Sequence, residues 1–349
     1  MRAVVHKWQK DAVPGGVPTL SVVIPVYNER EVLPLLYQRL REVLDPLKIV
    51  YELVLVDDGS RDGSGDYMVQ LAMHSSCVKA VRLSRNFGKE AALSAGLVQA
   101  SGEAVIVLDA DLQDPPELIP KMLDVWQAGA DVVCMKRRIR EGETWAKKYS
   151  AHAFYRLLNR ISRVRIPEDT GDFRLMSRRA LDALNQLPER NRYMKGLFAW
   201  VGYPTEVVEY DRAPRAAGTT KWDYFGLMGL AFEGITSFSV APLRWMTGVG
   251  LATALLGLFF GLWVVAKTLF LGIDVHGYPS LMAMMTFLGG VQLLSIGVVG
   301  EYVGKTYFES KQRPLYLIRD VVKGQQALQT AAKPQARAFQ EVDTHVATR

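Results

Sequence analysis

Residues 104–117 have the sequence AVIVLDADLQDPPE. The first five form a continuous apolar run, which is typical of a β-strand that is covered on both faces. Two carboxylates, Asp109 and Asp111, come directly after the run, and Pro115 and Pro116 then turn the chain. A buried strand that ends in paired acidic residues predicts a parallel sheet with a ligand site at its carboxyl edge.

Four more apolar runs predict the rest of this sheet; they cover residues 20–26, 52–58, 78–83 and 132–135. Helices are predicted over residues 28–44, after Ser64 and over residues 90–100. Strands that alternate with helices of about a dozen residues predict an α/β domain with a mostly parallel sheet. The more polar residues 140–215 are expected to complete the sheet and cover the site.

Two long apolar stretches follow, at residues 245–270 and 279–303. Each reaches the roughly 20 residues that a helix needs to cross a bilayer. Basic residues flank the pair but are missing from the connection, residues 272–278; they are Arg244, Lys305, Lys311 and Arg313. The positive-inside rule therefore predicts a multi-pass protein of the inner (plasma) membrane with a cytoplasmic soluble domain. Lys267, near the far end of the first stretch, is expected to snorkel outward.

The composition argues against several classes of protein. The 349 residues carry a net charge of +6, but the basic residues are spread out and form no nucleic-acid-binding module, so no nucleic-acid partner is expected. Cys77 and Cys134 lack the spacing of a disulfide framework or a zinc site. The first 16 residues have no apolar core and do not resemble a signal peptide. The Gln- and Ala-rich tail beyond Asp320 is predicted to be disordered.

The paired carboxylates suit a divalent cation. A turn at the end of the strand lets Asp109 and Asp111 reach one ion, and Gln113 adds a neutral oxygen. An oxygen-rich site of this kind suits Mg²⁺ or Mn²⁺, which in turn can bridge phosphate oxygens. The alternative is that the two acids only cap a helix that begins at Pro115-Pro116.

Two more polar clusters lie at the predicted edge of the sheet. Asp57 and Asp58 suit hydrogen bonds to a base or a ribose, or else they only form the turn that follows. Arg85 lies three residues before Gly88, and Lys89 follows Gly88 directly. The two cations suit a polyanionic ligand, or else they are solvated surface charges.

A basic loop precedes the apolar stretches. Arg212, Arg215 and Lys221 surround Gly218-Thr219-Thr220, and they suit a lipid phosphate; general attraction to anionic lipids is the alternative. Residues 222–239 follow as a helical stretch rich in aromatic side chains, which is expected to lie in the membrane interface rather than in a protein core.

Several segments, taken together, are similar to family 2 glycosyltransferases. They are SVVIPVYNE at residues 21–29, VDDGS at 56–60, the Asp109 segment and GDFRLM at 171–176. The nearest subgroup is the polyprenyl-phosphate glycosyltransferases: bactoprenol glucosyltransferases, with dolichol-phosphate mannose synthases and aminoarabinose transferases as relatives. GEYVGKTY at residues 300–307 and RPLY at 313–316 resemble the end of that subgroup's second span. The resemblance covers residues 20–320.

This resemblance implies a GT-A fold, a UDP-sugar donor and a divalent metal ion. The donor would be bound by Pro25, Tyr27, Glu29, Asp58, Arg85 and Asp109. The metal would be held by Asp109, Asp111 and Gln113. Asp172 matches the position of the catalytic base, and the acceptor phosphate would be held by Arg212, Arg215 and Lys221.

The implied organisation has five parts. They are a lead-in (1–19), the GT-A domain (20–220), an interfacial region (221–243), a transmembrane hairpin (244–305) and a cytoplasmic tail (306–349). Gly289, Gly290, Gly297 and Gly300 allow close helix contact, so a homo-oligomer is an open possibility.

The implied reaction is an inverting transfer of one sugar, with glucose as the best match, from a UDP-sugar to polyprenyl (undecaprenyl) phosphate. Other donors (mannose, an N-acetylhexosamine, aminoarabinose) and a non-lipid acceptor remain open. Polymerisation is disfavoured because the Gln-x-x-Arg-Trp signature of processive synthases is missing: Ala241 stands at its first position, before Arg244-Trp245. Lys305 stands where the subgroup is expected to have Arg.

Overall fold

The computed structural model describes residues 19–137, 170–190, 192, 194–210, 236, 239–271 and 277–324. These residues fall into two compact units, one within residues 1–120 and 316–349 and the other within residues 121–315. The predicted lead-in before Thr19, the basic loop with Arg212, Arg215 and Lys221, and nearly all of the predicted interfacial region lie outside the described residues.

The first unit contributes five strands, with helices between the first four. In chain order its elements are β1 (Leu20–Val26), α1 (Leu33–Leu44), β2 (Tyr51–Asp57), α2 (Ser64–His74), β3 (Val78–Leu83), α3 (Lys89–Gln99), β4 (Ala104–Val107) and β8 (Ile318–Lys323). These strands lie in the order β4-β1-β2-β3-β8, and all neighbours are parallel except β3 and β8. The predicted parallel α/β arrangement is confirmed.

Burial on both faces of the sheet explains why continuous apolar runs form these strands. Val22 and Val23 point to opposite faces of β1, and neither has any exposed surface. On α1 the buried residues recur every three or four positions; they are Leu33, Leu36, Leu40 and Leu44. α3 lies so close to the sheet that a Cβ at Gly96 would overlap with Val23 and Val56.

Strand β8 was not predicted. It pairs antiparallel with β3, and its Asp320 lies opposite Arg82. Arg82 donates to Asp320 through Nε and Nη2, at 2.8 and 2.9 Å. The prediction of disorder beyond Asp320 is therefore wrong for residues 321–323, because β3, which is distant in sequence, supplies their partners.

The second unit adds three more strands. After α4 (Ile119–Gln127), which begins at the end of the first unit, come β5 (Val132–Arg137), β6 (Thr170–Ser177), α5 (Arg178–Asn185), α6 (Met194–Trp200) and β7 (Thr205–Tyr210). β5 pairs antiparallel with β6 and parallel with β7. The predicted fifth strand is thus confirmed. β6 and β7 account for part of the polar region that was expected to add to the sheet.

The two apolar stretches form long helices, α7 (Ala241–Leu271) and α8 (Tyr278–Ser310). Ala241–Val264 and Met284–Ser310 are long and apolar enough to cross a membrane, by length and composition. Large apolar side chains lie exposed along both helices, including Phe259, at 67%, and Leu293, at 72%. Near the end of α8, Tyr302 Oη donates to the carbonyl of Ser239 at 2.6 Å, so this end of the helix is fixed to the residues that precede α7.

Candidate functional site

Two loops at the carboxyl ends of β1 and β2 hold one another through hydrogen bonds. The N–H of Asn28 donates to Ser60 Oγ at 3.0 Å, and the N–H of Arg61 donates back to Asn28 Oδ1 at 2.9 Å. The N–H of Glu29 donates to Ser64 Oγ at 3.0 Å. Asn28 has φ +56°, a left-handed conformation that asparagine tolerates better than most residues. The pairing fixes the backbone around two predicted donor-binding residues, Tyr27 and Glu29.

The predicted nucleoside-binding residues of β1 lie at this edge. Pro25 is the next-to-last residue of β1 and is partly buried. Tyr27 follows β1 directly and is 45% exposed. An exposed aromatic ring on a fixed backbone suits stacking against a base. The geometry is therefore compatible with the predicted role of both residues.

Asp57 and Asp58 have different roles at the end of β2. Asp57 Oδ1 accepts a hydrogen bond from the N–H of Ser60 at 2.9 Å, which is the turn chemistry considered as the alternative. Asp58 is buried, and its two oxygens accept from the N–H groups of Phe87 and Gly88 at 2.7 and 2.9 Å. Burial raises the pKa of Asp58, although these two bonds oppose the shift. Asp58 thus fixes the loop after β3, and its carboxylate can accept further bonds from a ligand.

The loop after β3 carries the two cations that the sequence indicated. Arg85 is exposed; its guanidinium lies 4.2 Å from the centroid of the Phe87 ring and donates to the carbonyl of Asn86 at 3.1 Å. Lys89 begins α3, and its Nζ contacts the carboxylate of Asp109 at 2.7 Å from Oδ1 and 2.9 Å from Oδ2. Lys89 is therefore paired with a predicted metal ligand 20 residues later in the chain, a contact that no local sequence signal predicts.

The Asp109 segment forms a strained turn after β4. Asp111 Oδ1 accepts a hydrogen bond from the N–H of Gln113 at 3.2 Å, and Leu112 between them has φ +59°. Among the described residues, Oε1 of the buried Gln113 has no hydrogen-bond partner. The short helical turn Pro116–Leu118 that follows has no side-chain cap in the described part of the chain. This goes against the alternative that the acids only cap a helix.

These ligands fit a hard divalent cation. The predicted set has two carboxylates and one amide, and within the described ranges no group of three or more His, Cys, Asp or Glu side chains could hold a metal ion. Mg²⁺ in nucleotide sites is often held by one or two carboxylates together with substrate phosphates. A buried amide oxygen without a partner, Gln113 Oε1, is an acceptor that a cation would satisfy.

Asp172 lies in the second unit, on β6. The buried Arg174 of the same strand donates to the carbonyl of Gly171 at 2.8 Å, and its guanidinium lies 3.8 Å from the centroid of the Phe198 ring. Arg174 thereby fixes the backbone next to Asp172. The structure brings the predicted donor and metal residues together at the carboxyl ends of β1 to β4, while Arg212, Arg215 and Lys221 lie outside the described residues.

Comparison with known proteins decides the family. The model of glycosyl transferase family 2 matches residues 21–184. An uncharacterized glycosyltransferase of Synechocystis sp. is 53% identical over 86% of this chain and 95% of its own length. The chain belongs to glycosyl transferase family 2. It is therefore an enzyme, and its mostly parallel α/β unit is the GT-A fold that the resemblance implied.

Other relatives of this family 2 enzyme have more specific names. The prophage bactoprenol glucosyl transferase homolog of Escherichia coli is 47% identical, over 87% of this chain and 99% of that protein. The bactoprenol glucosyl transferase of Shigella phage SfV is 48% identical, over 86% of this chain and 98% of that protein. A family model described as GtrB C-terminal hairpin matches residues 241–306, which include most of α7 and α8.

Proposed function

We propose that this enzyme transfers glucose, with inversion, from UDP-glucose to polyprenyl (undecaprenyl) phosphate and releases UDP. One observation carries the proposal: relatives named bactoprenol glucosyl transferase are 47–48% identical over nearly their full length, and the match includes the C-terminal helices. A relative that shares the glycosyltransferase domain and the C-terminal helices supports a shared acceptor as well as a shared fold.

The donor side of the reaction is assigned to the first unit. Pro25, Tyr27, Glu29, Asp58 and Arg85 bind the nucleoside diphosphate at the carboxyl ends of the parallel strands, where ligands of such sheets gather. Asp109, Asp111 and Gln113 hold Mg²⁺ or Mn²⁺. When bound, the cation stabilises the negative charge that develops on the leaving diphosphate. The prearranged loops keep these groups in place without reorganisation during the reaction.

The acceptor side is assigned to Asp172 and to the basic loop with Arg212, Arg215 and Lys221. A phosphate monoester with a second pKa of about 6 is mostly a dianion at neutral pH. It needs little deprotonation, so Asp172 orients the acceptor or a sugar hydroxyl more than it removes a proton. The three basic side chains offset the repulsion between the acceptor phosphate and the donor diphosphate.

The helices α7 and α8 are proposed to cross the plasma membrane, with the catalytic part of the chain on the cytoplasmic side. Their exposed apolar side chains suit lipid. The basic residues before α7 and after the apolar part of α8 support this orientation by the positive-inside rule. A lipid acceptor in the same membrane then meets the site in two dimensions rather than three.

A donor screen tests the proposal. Full-length enzyme in detergent is given undecaprenyl phosphate, Mg²⁺ or Mn²⁺, and one donor at a time from UDP-glucose, UDP-galactose, UDP-N-acetylglucosamine and GDP-mannose. We expect release of UDP from UDP-glucose only when the lipid is present, with a glucosylated lipid detected by mass spectrometry. Transfer from another donor instead of UDP-glucose would contradict glucose as the transferred sugar. Sugar transfer that does not need the lipid would contradict the proposed acceptor.

A further inference from the structure

Lys89 lies against Asp109, one of the proposed metal ligands. Its ammonium group contacts both carboxylate oxygens, at 2.7 Å from Oδ1 and 2.9 Å from Oδ2. The Lys89 and Asp109 side chains are 46% and 22% exposed, although the Oδ1 atom of Asp109 is itself buried. The lysine therefore covers the oxygens through which Asp109 would bind a cation.

Hydrogen bonds fix the backbone that leads into Lys89. The preceding Gly88 and Phe87 are held by Asp58 through two hydrogen bonds, and α3 begins at Lys89 itself. A lysine carries its charge on a flexible four-carbon stem with rotatable donors. A lysine ammonium group can therefore change partners without a change in the backbone that carries it.

A divalent cation bound by Asp109 would lie only a few ångströms from the ammonium group of Lys89, and like charges at that distance repel. Cation binding at Asp109 and Asp111 therefore weakens the contact between Lys89 and Asp109. A nucleoside diphosphate bound through the cation brings anionic oxygens to the same place. Pairing of an ammonium group with phosphate is one of the stronger charge-assisted hydrogen bonds.

We propose that Lys89 neutralises Asp109 in the metal-free enzyme and binds the donor diphosphate when the cation binds. The inference rests on the proposed function, because it takes Asp109 as a metal ligand. It predicts effects of opposite sign: Lys89 weakens binding of the cation alone and strengthens binding of the nucleotide in the presence of the cation. A lysine that only supported the loop would strengthen both binding of the cation and binding of the nucleotide.

The experiment compares the full-length wild-type enzyme with Lys89→Met, which removes the charge but keeps the length. Binding of Mn²⁺ alone is followed by loss of the electron paramagnetic resonance signal of the free ion, and binding of UDP at saturating Mn²⁺ by calorimetry. For Lys89→Met we expect the Kd of Mn²⁺ to fall about two- to fivefold, as for loss of a competing exposed ion pair. We expect the Kd of UDP to rise about tenfold, as for loss of a charged hydrogen bond.

Two control variants separate the local effect from general charge. Lys89→Arg keeps the positive charge of the side chain, so its Kd for Mn²⁺ should stay near that of the wild type. Lys48→Met removes the same charge from the turn that precedes β2, at the opposite end of that strand from Asp58, and should change neither constant. If Lys89→Met does not fold, as judged by circular dichroism and gel filtration, Lys89→Gln replaces it with the same expected shifts.

The outcomes distinguish this inference from the proposed function. If the wild type binds Mn²⁺ saturably and Lys89→Met binds it with equal or lower affinity, the inference is overturned and the metal site stands. If the wild type shows no more saturable Mn²⁺ binding than Asp109→Asn, the metal site itself is refuted, and the inference falls with it.

Discussion

At the scale of single residues, Leu112 marks the Asp109 segment as a place under local strain. It is a buried non-glycine residue with φ +59°, a conformation that costs about 1–2 kcal/mol for a residue with a Cβ. The hydrogen bond from the N–H of Gln113 to Asp111 closes the turn around it. Strain of this kind collects at binding and catalytic sites, and here it lies between two proposed metal ligands.

Asp111→Asn should leave the enzyme folded and nearly inactive. The change removes one of two carboxylates proposed to hold the cation, which supplies several kcal/mol of charge stabilisation, so we expect kcat to fall more than about a hundredfold. The measurement is UDP release in membranes supplied with Mn²⁺. Asp66→Asn, at a largely exposed carboxylate on α2, is the matched control, and undiminished turnover by Asp111→Asn would reject the metal assignment.

Asp172→Asn should separate rate from donor binding. Because the acceptor phosphate is mostly deprotonated at neutral pH, loss of a group that orients it should lower kcat by about tenfold or more. The KM for the UDP-sugar should stay within about twofold, since the donor residues belong to the first unit. Steady-state kinetics with each substrate varied in turn provides the check, and wild-type turnover would remove Asp172 from the proposed site.

At the scale of elements, a buried polar network joins the beginnings of the strands, at the opposite end from the site. Ser21 on β1 is in register with Glu52 on β2, and its Oγ donates to Glu52 Oε1 at 2.7 Å. Ser101, before β4, donates to the same oxygen through its N–H and its hydroxyl, at 2.6 and 2.7 Å. Lys79 on β3 pairs with Oε2 at 3.1 Å. One carboxylate thus links β1, β2, β3 and the approach to β4.

This network predicts a loss of stability in acid. Burial alone would raise the pKa of Glu52, but hydrogen bonds from Ser21 and Ser101 and the charge of Lys79 outweigh it and lower the pKa. A folded-state pKa below the unfolded value gives stability that is present above the unfolded value, about 4.3, and is lost as pH falls through the folded value. Glu52→Gln should cost about 3 kcal/mol at pH 7, because Lys79 loses its buried partner.

Thermal melts of both proteins from pH 7 to pH 3 test the sign. The difference between the wild type and Glu52→Gln should be largest at neutral pH and should shrink below about pH 4.3, where the Glu52 carboxylate of the unfolded chain binds a proton before that of the folded protein does. A difference that stays constant down to pH 3 would contradict a folded-state pKa of Glu52 below the unfolded value.

At the scale of the whole molecule, the apolar helices predict how the rate depends on the lipid acceptor. If α7 and α8 hold the enzyme in the same membrane as its acceptor, the rate should follow the mole fraction of undecaprenyl phosphate in the bilayer or micelle, not its bulk concentration. Diluting the lipid with detergent at constant bulk amount should therefore lower the rate, while the KM for UDP-glucose should keep its bulk value. A rate that ignores surface dilution would contradict a membrane-confined acceptor.

The amino-acid sequence by itself determined the parallel α/β arrangement, the two apolar helices and the family. The strands and helices could be predicted because a buried parallel strand, such as Ala104–Val107, and a long apolar helix each need a continuous local run of apolar residues. The family could be predicted from short motifs that lie at the ends of these strands. The tertiary structure alone decided contacts between segments distant in the chain. Examples are the pairing of Lys89 with Asp109, the use of Asp58 to hold the loop after β3, and the addition of β8 to β3. Such contacts depend on which loops and strands the fold places side by side, and no local pattern of residues records that.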